Sequence, residues 1–97
     1  MSELKVEREA QGHRASVFIT QGGKRVAEMT FSRVNEQKFI IDHTEVDDSL
    51  RGQGAGRTLL DFSVAWAREH GVTYLPLCPF AKAQFEKDPS ISDVLSA

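Results

Sequence analysis

Three glycines alternate with other residues in the segment Gly52-Gln53-Gly54-Ala55-Gly56, between a β-like apolar run and a helical one. Glycine lets the backbone approach a ligand closely. The first amides of a helix have no partner inside the helix and carry partial positive charge. A phosphate group suits such amides because it is anionic and rich in acceptor oxygens. This segment is therefore a candidate site for a nucleotide or a phosphate-bearing cofactor.

Two common phosphate-binding motifs do not fit this segment. A P-loop ends in glycine, lysine and a hydroxyl residue, whereas Gly56, Arg57 and Thr58 stand here and the lysine is absent. A dinucleotide-binding fingerprint has the spacing G-x-G-x-x-G in a larger sheet, whereas this chain of 97 residues has G-x-G-x-G. Spacing and length exclude both motifs.

Cys78 is a candidate nucleophile or proton donor. It precedes Pro79, and proline favours the first position of a helix. A cysteine at a helix start lies near the positive end of the helix dipole, which favours the nucleophilic thiolate. A small, inert cysteine packed at a strand end fits the same sequence.

His43 and Glu45 are candidates for proton transfer, since both residue types act as general bases. They lie two positions apart on a predicted strand. Because side chains alternate along a strand, we expect both to share a face with Phe39 and Ile41. A solvated sheet face, or an interior histidine with one hydrogen bond, is the alternative interpretation.

The periodicity of the apolar residues predicts the elements that position these side chains. Alternation indicates strands at 15–21, 25–33 and 38–46, which we expect to form an antiparallel meander, and a short strand at 5–9 precedes them. Apolar residues at helical spacing indicate a helix over 55–70, with Gly71 as its cap. A strand at 72–77, a helix from Pro79 to Lys87 and a turn over 90–95 complete the prediction.

The order strand 38–46, helix 55–70, strand 72–77 predicts a right-handed βαβ crossover with two parallel strands. Ligands bind in open α/β sheets at the carboxyl edge of such strands. The glycine segment and Cys78 follow these strands directly, so we expect them to meet at one edge. The predicted fold class is α/β with a mixed sheet, in a single domain over residues 1–97.

The composition narrows the class of protein. Hydrophobic residues make up 40% and charged residues 27% of the chain, as in soluble proteins. The formal net charge of -2 does not suit a nucleic-acid surface, which carries a basic excess. One cysteine and three scattered histidines predict neither an intrachain disulfide nor a metal site. With no signal-peptide core and no apolar run of about 18–20 residues, we expect a cytoplasmic protein without a membrane partner.

The pattern Arg51-x-x-Gly54-x-Gly56 resembles the acetyl-CoA signature [RQ]-x-x-G-x-[GA] of the GNAT superfamily of N-acetyltransferases. The runs His43-Thr44-Glu45-Val46 and Cys78-Pro79-Phe80 are similar to a subfamily of very small GNAT-like proteins. The resemblance implies a minimal GNAT-like fold, with an antiparallel meander, a βαβ crossover and a short C-terminal helix. It also implies that the last strands, which close over the acyl acceptor in the superfamily, are missing.

The resemblance implies acetyl-CoA as the cofactor. The backbone amides of the glycine segment would hold its pyrophosphate, and its pantetheine arm would lie between the two splayed parallel strands. The cofactor-binding residues implied in this way are Val46, Arg51, Gly52, Gln53, Gly54, Ala55, Gly56 and Arg57.

The resemblance implies transfer of an acetyl group to an amine, either on a small molecule or on a protein. In one route Glu45, assisted by His43, deprotonates the amine, which attacks the thioester directly. In the other, Cys78 is acetylated first and passes the group on; Cys78 also suits protonation of the departing thiolate. A CoA-binding or regulatory module without turnover is the alternative, and a structural domain that merely retains the fold is a third. We expect a monomer or weak dimer.

Overall fold

The computed structural model describes residues 5–50 and 52–96. Within these residues one sheet has five strands in the order β1-β2-β3-β4-β5. The strands are β1 Val6–Gln11, β2 Arg14–Gln21, β3 Lys24–Asn35, β4 Lys38–Val46 and β5 Thr73–Pro76. The helices are α1 Ala55–His70 and α2 Pro79–Lys87, and short 3₁₀ helices span Asp48–Leu50 and Pro89–Val94. Neighbouring strands are antiparallel except β4 and β5, which are parallel.

The predicted elements agree closely with this architecture. The strand predicted over 38–46 and the helix predicted over 55–70 coincide with β4 and α1. The other predicted elements begin and end within about two residues of the observed ones, which is the usual scatter of element ends. The mixed α/β class, the meander and the parallel crossover are confirmed.

The core lies between the sheet and α1. One face of α1 carries apolar side chains at helical spacing, and Leu59, Leu60 and Ala67 are each fully buried. Burial of a leucine contributes about 1.5–3 kcal/mol, so this stripe holds the helix on the sheet. The buried apolar residues of β2, β3 and β4 in the same core are Ala15, Val17, Ile19, Val26, Ala27, Met29, Phe31, Phe39 and Ile41.

Tyr74 of β5 fixes the end of the crossover against α1. Its ring is buried, and its hydroxyl donates a 2.8 Å hydrogen bond to the carbonyl oxygen of Ser63 in α1. Burial raises the pKa of Tyr74 above its ordinary value, which keeps the hydroxyl protonated as a donor.

A β-bulge interrupts β4 at Asp42. Phe31 of β3 pairs with Ile41, but the preceding residue of β3 pairs with His43, so Asp42 is an extra residue. Its carboxylate accepts a 2.6 Å hydrogen bond from the hydroxyl of Ser32. After the bulge the side-chain alternation of β4 is shifted by one position.

The shift corrects the predicted orientation of His43 and Glu45. Thr44 pairs with the buried Met29, so Thr44 faces the core side that Ile41 also faces. His43 and Glu45 therefore lie on the opposite, solvent-exposed face of the sheet, and not on the face of Ile41 as predicted. The prediction was wrong because strict two-residue alternation holds only in an unbroken strand.

β4 and β5 separate at the edge of the sheet where α1 begins. Their pairing runs from Lys38 and Thr73 to Ile41 and Pro76. The Ile41 carbonyl then accepts hydrogen bonds from two successive amides that follow β5, at 3.1 and 3.2 Å. Beyond this point β4 continues to Val46, whereas the segment that follows β5 leaves the sheet and begins α2. A wedge between the two parallel strands results.

Candidate functional site

The glycine segment places an uncapped helix start beside this wedge. Gly52 and Gly54 have φ angles of 82° and 68°, in the left-handed region that side chains disfavour. Gly54 is the N-cap of α1 and offers no side chain to its first amides, and the first turn of α1 contains no acidic residue. The start of α1 thus keeps the partial positive charge that an anion requires.

Gly56 serves helix packing as well. It is buried in the first turn of α1, and a Cβ atom added there would lie 2.9 Å from Cζ of Phe80 in α2. Such a separation is well below ordinary van der Waals contact. The absence of a side chain at Gly56 therefore allows the Phe80 ring to pack directly on the α1 backbone.

The loop before α1 is held at both ends. The amide of Asp47 donates to the carbonyl of Val26 at 2.7 Å, and the buried Leu50 anchors the short 3₁₀ helix. The backbone amide of Ser49 donates to the Asp47 carboxylate at 2.9 Å, and this contact is the main reason that the pKa of Asp47 is below its ordinary value. These contacts fix the position at which β4 ends and the loop that leads to the glycine segment begins.

Among the predicted cofactor-binding residues, Gln53 is already engaged through its backbone. Its amide donates to the Leu50 carbonyl at 3.1 Å, so it is not available to a phosphate in this arrangement. Arg51 lies outside the described residues. The amides of Ala55, Gly56 and Arg57 begin α1 and remain the donors best placed for an anion.

The Arg57 side chain braces α1 against α2. Its guanidinium donates to Asp61 at 2.7 Å, to Gln84 at 3.0 Å and to Asp88 at 2.5 Å. The bond to Asp88 is the main cause of the raised pKa of Arg57. Hydrogen bonds from Ser90 and from Arg57 lower the pKa of Asp88 to about 2. This side chain positions the two helices and is directed away from a phosphate role.

Cys78 lies where predicted, at the N-cap of α2 beside the wedge. Its Sγ accepts a hydrogen bond from the amide of Ala81 at 3.4 Å, and it lies 3.2 Å from Oγ1 of Thr44. The side chain is only 3% exposed. Sequence reasoning did not single out Thr44, because only the bulge in β4 turns its hydroxyl toward the thiol.

His43 and Glu45 lie together on the other face of β4. Nε2 of His43 is 3.1 Å from Oε1 of Glu45, and the side chains are 64% and 74% exposed. The bulge thus divides the three predicted catalytic residues, with Cys78 on the core side and the His43–Glu45 pair on the open side.

An open cavity of about 390 Å³ adjoins Glu45 at the end of β4. Its other lining residues are Arg25, Val26, Ala27, Glu28, Val46 and Asp47. Val46 is 40% exposed, which is unusual for a large apolar residue at a strand end. The cavity therefore joins the exposed Val46 side chain to the Glu45 carboxylate, which solvent reaches freely.

In the part of the chain that the structure describes, no three His, Cys, Asp or Glu side chains are grouped to hold a metal ion. Neither is any described helix long and apolar enough to cross a membrane.

Comparison with known proteins identifies the fold. Among solved structures, a GCN5-like candidate N-acetyltransferase from Staphylococcus aureus is 35% identical, with a TM-score of 0.74, over 100% of this chain and 92% of that one. The ribosomal-protein-S18-alanine N-acetyltransferase from Escherichia coli is 25% identical, with a TM-score of 0.64, over 79% of this chain. This chain covers 53% of the Escherichia coli enzyme, about half its length.

A more distant structure shares the fold alone. The aminoglycoside N-acetyltransferase AAC(6')-Iy, solved in complex with CoA, is 14% identical, with a TM-score of 0.54, over 84% of this chain and 68% of that one. No protein of curated function matches the sequence. The family model for GCN5-related N-acetyl-transferases matches residues 14–94. The chain therefore belongs to the GCN5-related N-acetyl-transferase family and is an acetyltransferase enzyme.

Proposed function

We propose that this protein transfers an acetyl group from acetyl-CoA to an amine. The observation that carries the proposal is the uncapped start of α1, which lies beside the wedge between β4 and β5. Phosphate binds at such helix starts, and a narrow cleft between strands suits the slender pantetheine arm. The CoA complex of the aminoglycoside enzyme, which shares this fold, supports the choice of cofactor.

From the start of α1 toward Cys78, successive residues around the wedge would contact successive parts of acetyl-CoA. The first amides of α1 would hold the pyrophosphate. The exposed side chain of Val46 would contact the pantetheine arm. Thr44 and Cys78, which lie 3.2 Å apart where the strands separate, would then face the thioester.

The reaction forms a C–N bond between the amine and the acetyl carbon and breaks the C–S bond of the thioester. The amine loses one proton, and the departing thiolate gains one. Glu45 is placed to accept the first proton, because it is exposed and lines the open cavity. His43, 3.1 Å away, can orient the Glu45 carboxylate or take the proton on. Cys78 can donate the second proton from the other side of β4, and the Thr44 hydroxyl can hydrogen-bond the departing thiolate.

Accessibility favours direct transfer over an acetylated Cys78. An incoming amine reaches Glu45 through the cavity, whereas the thiol is 3% exposed and is covered by its contacts with Thr44 and Ala81. Acetylation of Cys78 would require these contacts to open first. The acceptor amine therefore approaches from the open face of the sheet.

The first experiment measures binding and turnover separately. Calorimetry with acetyl-CoA tests the cofactor site, and release of free CoA thiol in the presence of a panel of amines tests the transfer. No binding at millimolar acetyl-CoA would contradict the proposal. Binding without thiol release for any amine would identify a CoA-binding module without turnover.

Two variants then separate the chemical routes. Glu45→Gln should lower kcat about 100-fold, as loss of a general base does, while the matched control Glu86→Gln on the exposed face of α2 should keep full activity. Cys78→Ala should retain measurable transfer. If Cys78→Ala is inactive and the intact mass of the wild-type protein rises by one acetyl group with acetyl-CoA, the route runs through Cys78 instead.

A further inference from the structure

The arginines that the structure describes fall into two groups. In residues 5–50 and 52–96, three of them form ion pairs with carboxylates. These pairs are Arg25 with Glu9 and Glu28, Arg57 with Asp61 and Asp88, and Arg68 with Asp93. In each pair the carboxylate neutralises the guanidinium, so these arginines serve the fold.

The other described arginines share a different environment. Arg8, Arg14 and Arg33 have no carboxylate at ion-pair distance within the same residues, and all three line one cavity of about 350 Å³. The lining contains three arginines and one acidic residue, Glu36, so the cavity is positively charged. The chain as a whole has a formal net charge of -2. We call this space the arginine cavity.

Aromatic stacking holds one wall of the arginine cavity. Cζ of Arg8 lies 3.8 Å from the ring centroid of Trp66, and the Trp66 and His70 rings stack with centroids 4.3 Å apart. Stacking fixes the plane of a guanidinium without using its N–H donors. Nδ1 of His70 lies 2.8 Å from the Trp66 carbonyl oxygen and can donate a hydrogen bond to it. The guanidinium N–H donors of Arg8 are thus held in a fixed plane and remain available to a ligand.

We propose that the arginine cavity binds a small phosphate-bearing molecule. Guanidinium groups pair with phosphate through two parallel hydrogen bonds, and three guanidiniums without a carboxylate partner among the described residues line this one space. The volume lies within the range of small-molecule sites. The ligand is negatively charged and compact, with its phosphate held by Arg8, Arg14 and Arg33.

This site is separate from the acetyl-CoA site proposed above. The arginine cavity includes His70, the last residue of α1, whereas the glycine segment precedes its first residue. The 16 residues of α1 place the two ends about 24 Å apart. A ligand in the arginine cavity can therefore bind together with acetyl-CoA.

Trp66 is the single tryptophan of the chain, so its fluorescence reports on the arginine cavity directly. We expect pyrophosphate, titrated into the full chain, to change Trp66 emission saturably. Arg14→Gln and Arg33→Gln should each weaken binding about tenfold, the loss expected for one charged hydrogen-bonding partner. Both side chains are exposed, so the variants should fold.

Two controls locate the effect. Arg68→Gln removes the same charge from an arginine outside the cavity and should change the affinity less than twofold. Gly54→Asp alters the other end of α1 and should also leave the Trp66 titration unchanged. The proposal is overturned if pyrophosphate gives no saturable response, or if Arg14→Gln and Arg33→Gln both bind it with the affinity of the wild type. Saturation by a glutamate-rich peptide but not by pyrophosphate also overturns it and assigns the cavity to a protein partner.

Discussion

Gly54→Asp should separate cofactor binding from folding. The substitution places a carboxylate at the N-cap of α1, where the pyrophosphate of acetyl-CoA is proposed to lie. The carboxylate stabilises the helix start by about 0.3–1 kcal/mol. This gain offsets part of the cost of a side chain at a φ of 68°, which is smaller for aspartate than for most residues. The free energy of unfolding should therefore change by no more than about 1 kcal/mol.

The effect of Gly54→Asp on the affinity for acetyl-CoA should be larger, and it should be a loss. At a separation of about 5 Å, the carboxylate and a pyrophosphate diester of charge -2 would repel each other by about 1.7 kcal/mol even at the dielectric constant of water. That repulsion corresponds to more than a tenfold loss of affinity. The carboxylate also competes with the phosphate for the same amides of α1, which adds to the loss.

Calorimetry with acetyl-CoA and urea denaturation measure the two quantities on one sample. Gly22→Asp is the matched control, because Gly22 has a φ of 59° and open space around it, in the turn between β2 and β3. It carries the same added charge and should bind acetyl-CoA like the wild type. Equal affinities for Gly54→Asp and Gly22→Asp would refute the placement of the pyrophosphate at α1.

Two further predictions concern the packing of α2. Gly56→Ala places a Cβ atom 2.9 Å from the Phe80 ring. We therefore expect overpacking to lower the free energy of unfolding by about 1–3 kcal/mol, as measured by urea denaturation. An unchanged urea midpoint would show that the ring moves freely. Asp88, with a pKa near 2, stabilises the fold above about pH 4, and this contribution disappears as pH falls toward 2. Asp88→Asn should therefore be less stable than the wild type at pH 7 and equal to it near pH 2; a difference that persists at pH 2 would show that charge is not the cause.

The sequence predicted the elements well because α1, and β4 as far as Ile41, have regular apolar patterns. Their apolar spacing, together with Gly71 as a C-terminal cap, determines each element locally. The position of Cys78 at the start of α2 followed from Pro79 in the same way.

The faces of β4 beyond the bulge were not predictable in this way. The apolar residues change from odd positions, Phe39 and Ile41, to an even one, Val46, but the extra residue at which the phase changes is visible only in the pairing with β3. Arg57 presents a related case. Its contact with Asp61 follows helical spacing, but its partner Asp88 is 31 residues away and is brought near only by the packing of α2 on α1.

The bulge at Asp42 makes β4 one residue longer than its pairing with β3 requires. A relative that lacks this residue would have a regular strand and would still present Thr44 inward and Glu45 outward. A single-residue alignment gap at this position is therefore structurally conservative. A gap nearer the end of the strand would instead turn Val46 away from the wedge. Reliable alignment of relatives across this strand thus requires the pairing of the strands, since sequence similarity alone cannot place the gap.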